Sequence, residues 1–164
     1  MQVTKISTTD TAKMIRKEVK HYFPNVKFSV RSHSYSGGSS IDVSWTDGPT
    51  TKEVDAIVKR FQGASFDGMI DLKSYHNSFV ILEGSTLPVE VHYGADYVFT
   101  NRDLSPEFKA ELVKKFEEIS GEKYDDNTTY STNCFEIYQM PQMYGCQIIN
   151  HLFHNSVLGE KAVA

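Results

Sequence analysis

The residues best suited to holding an anion and stacking a base lie between Arg31 and Trp45. The segment SYSGGSS (residues 34–40) has two glycines and several hydroxyls, so its N–H and O–H groups could hold a phosphate. A guanidinium and two aromatic rings nearby could stack a base while the turn holds phosphate. The candidate binding residues of this segment are Arg31, Tyr35, Ser36, Gly37, Gly38, Ser39, Ser40 and Trp45.

The same residues have a purely structural interpretation. The Gly37-Gly38 pair permits the positive φ angles that a hairpin reversal needs. The segment lacks the Gly-Lys-Ser/Thr ending of a P-loop and leads into a strand rather than a helix. Trp45, at the end of an apolar strand face, is also typical of a core or rim tryptophan. An anion site and a plain hairpin tip both fit the sequence.

A second possible site is acidic. Asp67 and Asp71 in FDGMID, followed by His76, could form an acid–base cluster or a weak metal site. The alternative is a turn aspartate before Gly68, because nothing fixes the spacing of a third ligand. We keep Asp67 as a candidate binding residue and predict no catalytic residue. Asp96 in GADYVF is predicted to cap a turn.

Two cysteines and two histidines near the carboxyl end raise the question of zinc. His151 and His154 would share a helix face, but eleven residues separate Cys134 from Cys146. A structural zinc site normally has two cysteines two to four residues apart. We therefore predict no metal ligands and no cofactor. A Gly-x-Ser-x-Gly nucleophile motif is also absent from the sequence.

Helices and paired strands alternate along the chain. Ala12, Ile15, Val19 and Tyr22 recur at helical spacing, and Pro24 ends that helix. The further elements predicted are strands 27–33 and 41–45, a helix beginning near Thr50, strands 87–93 and 96–100, a helix after Ser105, a possible strand 134–138 and a short helix 145–153. Residues 64–85 are predicted to be mostly loop, with a possible strand at 79–82.

This αββα-ββα order predicts an α+β fold, an antiparallel sheet with helices packed on one face. We predict one domain at residues 1–121 and a carboxyl-terminal extension at residues 122–164 that is packed on it or linked to it.

Composition narrows the functional classes. The 164 residues are 40% hydrophobic, enough for a sizeable core, and no apolar run is long enough to span a membrane. Without a signal-peptide pattern, and with only two cysteines, the expected location is cytoplasmic. Residues 1–62 carry ten basic and six acidic side chains, whereas residues 63–164 carry seven and fifteen. This difference in charge between the two parts of the chain is too small to indicate a nucleic-acid binder by itself.

Several separated blocks resemble one of the large polyvalent protein-associated domain families. They are residues 29–31 (SVR), 35–40 (YSGGSS), 43–50 (VSWTDGPT), 66–69 (FDGM) and 94–99 (GADYVF), within about residues 11–120. The resemblance implies a setting in phages or conjugative elements and an accessory role against host defences. It implies no catalytic residues. The family's domains usually occur fused to larger proteins, whereas this sequence is expected to be a stand-alone chain with a carboxyl-terminal extension.

Three functions follow, in order of preference. The first is a phage or mobile-element protein that acts in the host cytoplasm and counters a host defence system by binding, as an inhibitor or sequestering protein without catalysis. Its partner would be a host defence protein, or the nucleic-acid or nucleotide ligand of that protein. The second is a nucleic-acid or nucleotide-binding module that uses the 31–45 hairpin. The third is a metal-dependent enzyme acting on nucleic acid or a nucleotide signal. The sequence predicts no membrane partner and leaves the oligomeric state open.

Overall fold

The computed structural model describes residues 3–81, 86–135, 137, 140 and 142–155. The strands within these residues are β1 (Thr4–Ile6), β2 (Ser29–Tyr35), β3 (Gly38–Thr46), β4 (Ala64–Asp67), β5 (Leu72–Tyr75), β6 (Ser78–Val80), β7 (Val89–Tyr93), β8 (Tyr97–Asp103), β9 (Thr129–Ser131) and β10 (Gln142–Tyr144). The α-helices are α1 (Thr8–Tyr22), α2 (Thr51–Val58), α3 (Pro106–Ser120) and α4 (Gly145–Asn155), with short 3₁₀ helices at Lys59–Phe61 and Asn133–Phe135. The predicted α+β class is confirmed.

The chain divides into two compact units. The first comprises residues 1–45 and 51–102, and the second comprises residues 46–50 and 103–164. Helix α3, which the sequence analysis placed in the first domain, contributes Leu112 and Phe116 to the core of the second unit. The predicted domain boundary at 121/122 stays a prediction.

Helix α1 covers one side of the first core. It begins because the Ser7 hydroxyl accepts a hydrogen bond from the Asp10 N–H (3.1 Å), and it ends just before Pro24, as predicted. Ala12, Ile15 and Val19 are buried together with apolar residues of α2 and of several strands, whereas Tyr22, the fourth residue at helical spacing, is 54% exposed. The fully buried members from the helices are Ala12, Ile15, Val54 and Val58.

The predicted hairpin between residues 27 and 46 is confirmed. Strands β2 and β3 pair antiparallel from Ser29↔Ser44 to Tyr35↔Gly38. This register makes the turn a two-residue reversal at Ser36 and Gly37, one residue earlier than the glycine pair suggests. Gly37 has φ +88°, a conformation that residues with a Cβ adopt at a cost.

The strands after residue 86 pair differently from the predicted order. Strand β7 lies in the middle of a three-stranded sheet, parallel to β1 and antiparallel to β6. Strand β8 joins the hairpin instead, in the order β2-β3-β8. The link between β7 and β8 is not a tight turn, because the Gly94 N–H donates to Ile6 O (2.8 Å) and the Gly63 N–H donates to Ala95 O (2.7 Å). Consecutive strands therefore enter separate sheets.

Residues 64–75 form a hairpin where mostly loop was predicted, so that prediction is wrong. Strands β4 and β5 pair antiparallel from Ala64↔Tyr75 to Asp67↔Leu72. Apart from buried Ala64, their side chains are exposed or half-exposed on both faces, so the sequence lacks the alternation of a half-buried strand. Of the predicted strand at 79–82, residues 79–80 belong to β6, and Leu82 lies outside the described residues.

The second unit is built around Phe116. Helix α3 begins at the predicted cap, where the Ser105 hydroxyl accepts from the Phe108 N–H, and it ends at Gly121 with φ +71°. The Phe116 ring contacts the rings of Tyr124, Tyr130 and Phe135 at centroid distances of 4.8 to 5.3 Å. Helix α4 covers the predicted final helix and adds Ile148, Ile149 and Phe153 to this core.

Two remaining predictions concern the second unit and membrane spanning. Where a strand was predicted at 134–138, residues 133–135 form a 3₁₀ helix, and residues 136 and 138 lie outside the described residues. Strands β9 and β10 pair antiparallel in a small sheet of their own. Among the described helices, none combines the length and the apolar content that crossing a bilayer requires.

Gly63 provides a test of the first unit. A Cβ at this position would lie 2.2 Å from the Tyr93 carbonyl oxygen, which is backbone and cannot rotate away. We expect Gly63→Ala to lower the free energy of unfolding by about 2–4 kcal/mol. Urea denaturation, monitored by the fluorescence of buried Trp45, measures the free energy of unfolding. Gly68→Ala is the matched control, because its nearest neighbouring atom would be 4.0 Å away. An equal loss of stability in Gly63→Ala and Gly68→Ala would contradict the close contact between Gly63 and the Tyr93 carbonyl oxygen.

Candidate functional site

The hairpin turn has the predicted shape, but its best donors are already used within the protein. The Ser39 N–H donates to Asp96 Oδ2 (2.8 Å), and the Ser39 hydroxyl donates to the Gly94 carbonyl oxygen (2.6 Å). Ser39 and Ser40 are each only 8% exposed. The Asp96 carboxylate thus occupies the position at Ser39 that was predicted for a phosphate.

Lys73 of strand β5 completes this arrangement. Its ammonium group lies 2.9 Å from Asp96 Oδ2, and the two side chains are 23% and 13% exposed. The hydrogen bond to Asp96 raises the pKa of Lys73, so the amine stays protonated at neutral pH. The Lys73 ammonium also donates to the Gly37 carbonyl oxygen at 3.4 Å. The ion pair therefore joins the tip of the β2–β3 hairpin to the β4–β5 hairpin.

Three tyrosines surround this ion pair, and we call Tyr35, Tyr75 and Tyr97 the tyrosine cluster. The Lys73 ammonium lies 5.0 Å from the Tyr75 ring centroid and 5.8 Å from the Tyr97 ring centroid. A Cβ at Gly38 would lie 2.9 Å from the Tyr35 ring and 3.0 Å from Asp96 Oδ2, so that ring is close to the carboxylate. Tyr35 and Tyr75 are more than half exposed.

The β4–β5 hairpin also carries an apolar surface, which we call the apolar tip: Phe66, Met69, Ile70 and Leu72. Each is at least half exposed, and Met69 is 95% exposed. Phe66 is the cross-strand partner of Lys73, so both side chains lie on one face of the hairpin. The apolar tip therefore lies on the same hairpin as Lys73 and Tyr75, the member of the tyrosine cluster that β5 carries.

The predicted candidates have different environments. Arg31 is exposed on β2 four residues before Tyr35, and Tyr35, Ser36 and Gly37 are exposed at the hairpin tip. Gly38, Ser39 and Ser40 are half-buried or buried, and Ser39 is engaged with Asp96.

Trp45 does not belong to this surface. It is 2% exposed and lies in the first core, where its ring centroid is 5.4 Å from that of Phe28. The indole offers no accessible face for stacking, because strand β3 alternates and Trp45 falls on its buried side. Of the two interpretations of Trp45, a stacking residue or a core tryptophan, the second describes its environment.

Asp67 has the role of a turn aspartate. Its Oδ1 accepts from the Met69 N–H at 2.9 Å, within the turn that joins β4 to β5. His76 lies at hydrogen-bond distance (2.8 Å) from the Ser65 hydroxyl. Cys134 and Cys146 are free and exposed. In the part of the chain that the structure describes, no group of three or more His, Cys, Asp or Glu side chains could hold a metal ion.

Sequence reasoning missed Lys73, Tyr75 and Tyr97 as site residues. The alternation of Lys73 and Tyr75 was a usable signal, since residues two apart in a strand share a face. Asp96 was predicted to cap a turn, and it does accept a backbone N–H. Its partner, however, is the turn 57 residues earlier in the chain.

Comparison with known proteins gives one family match. A family model described as large polyvalent protein associated domain 29 matches residues 6–105. The matched range contains the tyrosine cluster, the apolar tip and the Lys73–Asp96 ion pair. No curated protein and no solved structure matches the chain.

The Asp96 contacts lead to a stability prediction. Asp96→Asn removes the negative charge that Lys73 and the Ser39 N–H contact, so we expect a loss of about 1–3 kcal/mol in the free energy of unfolding. Asp42→Asn is the control, because Asp42 pairs with His33 in a largely exposed position and should change stability by less than about 0.5 kcal/mol. Chemical denaturation of both variants measures this. If Asp96→Asn left the free energy of unfolding unchanged, Asp96 would not be stabilising the contact between the two hairpins.

Proposed function

The chain belongs to the large polyvalent protein associated domain 29 family, and from this membership we propose a phage or mobile-element accessory protein that counters a host defence system. It acts in the host cytoplasm by binding a defence protein and inhibiting or sequestering it, without catalysis. The family setting supports the biological context, and the surface of the first unit supports binding.

The observation that carries this proposal is the apolar tip. Met69 and Ile70 stand at the end of a hairpin at 95% and 65% exposure, with Phe66 and Leu72 just behind them. Contiguous exposed apolar residues cost solubility and mark protein interaction sites. Phenylalanine, tyrosine and methionine are enriched at the centres of such interfaces. The adjoining tyrosine cluster has the composition of a binding hot spot.

The charges next to the tip indicate the chemistry of the partner. Asp67 and Asp71 flank Met69 and Ile70 in the sequence, and the chain carries a net charge of −4. A complementary partner surface has an apolar pocket with basic side chains at its rim. Nucleic-acid-handling defence proteins have basic surfaces of this kind. The hairpin would insert its apolar side chains while the two carboxylates face the rim.

A defence assay tests this proposal. The protein is expressed in cells that each carry one defence system, and the plating efficiency of a restricted phage is measured. We expect the wild type to restore plating against one system, and the double variant Met69→Ser/Ile70→Ser to lose at least tenfold of that effect. Ile119→Ser is the control, because Ile119 is an exposed isoleucine on helix α3 of the second unit.

Stoichiometry separates binding from catalysis in the same system. An inhibitor that works by binding should titrate the purified defence protein to completion near one equivalent, whereas an enzyme acts well below it. Failure to restore plating against any system, or full activity of the tip variant, would overturn the proposal.

A second candidate function is nucleotide or single-stranded nucleic-acid binding on the tyrosine cluster. The specific observation is that Tyr35 and Tyr75 expose more than half of their surface beside a lysine. Base stacking on such rings contributes about 1–3 kcal/mol per base. Lys73 contributes little net charge here, because Asp96 neutralises it.

Fluorescence anisotropy with a labelled single-stranded oligonucleotide tests the second candidate. Tyr35→Ala should weaken binding by about tenfold if a base stacks on that ring. Tyr22→Ala, which removes an equally exposed tyrosine from helix α1, should leave binding unchanged. An anisotropy that stays flat for the wild type at low salt removes this candidate.

A further inference from the structure

A groove of about 710 Å³ runs along strand β6 in the first unit. Five consecutive residues, 77–81, line one side of it. Met14 and Glu18 of helix α1, with Arg60 and Phe61 of the first 3₁₀ helix, form the opposite side. Side chains of a strand alternate between two faces, so consecutive lining residues mean that the groove follows the edge of the strand. Its volume lies within the range of ligand-binding clefts.

Strand β6 is at the edge of its sheet. The strand order is β1-β7-β6, so β7 pairs with one side of β6 only. Among the described residues, no other strand and no loop backbone hydrogen bond occupies the outer side of Ser78–Val80. An open strand edge presents N–H and C=O groups that can pair with an added strand. The groove therefore places unused backbone groups beside a cleft.

Tyr93 gives the groove a buried polar group. Its side chain lines the groove although the residue is only 3% exposed. The Phe61 ring packs edge-on against it at 5.1 Å between centroids, which restrains the phenol ring. Within the part of the chain that is described, the hydroxyl has no hydrogen-bond partner. Burial raises the pKa of Tyr93, so the group is a neutral O–H donor. Such a group gains from a ligand that offers an acceptor.

Arg60 supplies a positive charge at the mouth of the groove. Its guanidinium pairs with Glu18 at 2.5 Å and lies 5.0 Å above the Phe61 ring. A guanidinium has five N–H donors, so one carboxylate does not use them all. The Arg60 side chain is half exposed. It can therefore hold a second carboxylate without losing Glu18.

We propose that this groove binds an extended peptide segment of a partner protein by addition of a strand to β6. A carbonyl oxygen of the peptide accepts a hydrogen bond from the Tyr93 hydroxyl, and an acidic residue of the peptide forms an ion pair with Arg60. A neighbouring apolar side chain packs against exposed Phe79 and Ile81. Main-chain pairing supplies affinity, and these side-chain contacts supply sequence preference. This site is separate from the apolar tip, so the inference does not rest on the proposed function.

Selection from a random peptide library on the immobilised full chain tests the inference. The enriched peptides should share an acidic residue next to an apolar one. Arg60→Ala should weaken their binding at least tenfold, and Tyr93→Phe several-fold. Arg31→Ala is the control, an exposed arginine on β2 outside the groove. Tyr93→Phe removes no hydrogen bond within the described residues, so its thermal stability should equal or exceed that of the wild type.

Backbone N-methylation distinguishes strand addition from other modes of binding. Every second N–H group of the bound peptide faces β6, and the others face away from it. N-methylation of the first set should therefore abolish binding, whereas N-methylation of the second set should preserve it. The inference is overturned if no peptide is enriched over the blank surface. Equal binding to wild type, Arg60→Ala and Tyr93→Phe would overturn it as well, as would binding that tolerates methylation at every position. Met69→Ser/Ile70→Ser should retain peptide binding, which keeps this test independent of the proposed function.

Discussion

The Asp96 carboxylate is the contact on which the surface of the first unit depends. One of its oxygens accepts the Ser39 N–H and faces the Lys73 ammonium, while the Asp96 carbonyl oxygen accepts the Ala64 N–H at 3.1 Å. A single residue thus connects the β2–β3 turn, the first strand of the β4–β5 hairpin and the start of β8. The two carboxylate contacts involve a charged acceptor with little exposure, which makes them stronger than neutral surface contacts. A hairpin without a core of its own needs such an attachment.

Fixing the β4–β5 hairpin at its base explains how it can expose apolar side chains and still be ordered. An isolated two-stranded hairpin is only marginally stable in water. Here the hairpin is bonded at Ala64 and at His76, whose N–H donates to the Gly63 carbonyl oxygen at 2.8 Å. Its far end then needs no burial of Met69 or Ile70. Ordering the proposed binding surface in advance would lower the entropy cost of association.

The parts of the fold predicted from sequence are those determined by neighbouring residues. The start of α3 after Ser105 and the end of α1 before Pro24 depend on local geometry, and they lie where the pattern indicated. The β4–β5 hairpin was missed because its side chains are exposed on both faces. The separation of β7 from β8 was missed because it results from distant contacts of Gly94 and Ala95. A reversal at the glycine pair was predicted and lies one residue earlier, at residues 36–37, whereas the anion at Ser39 is the Asp96 carboxylate, which no local pattern could show.

The state of the charged groups disfavours Lys73 as a general base beside the tyrosine cluster. A general base must lose its proton near neutral pH, whereas the hydrogen bond to Asp96 raises the pKa of Lys73 away from neutrality. Asp96 is held in place by the same bond and by Ser39, and Asp67 accepts the Met69 N–H within its own turn. Lys73 and Asp96 neutralise one another, and all three side chains stiffen the scaffold. What they leave accessible is aromatic and apolar surface, which would contribute to affinity in the proposed binding.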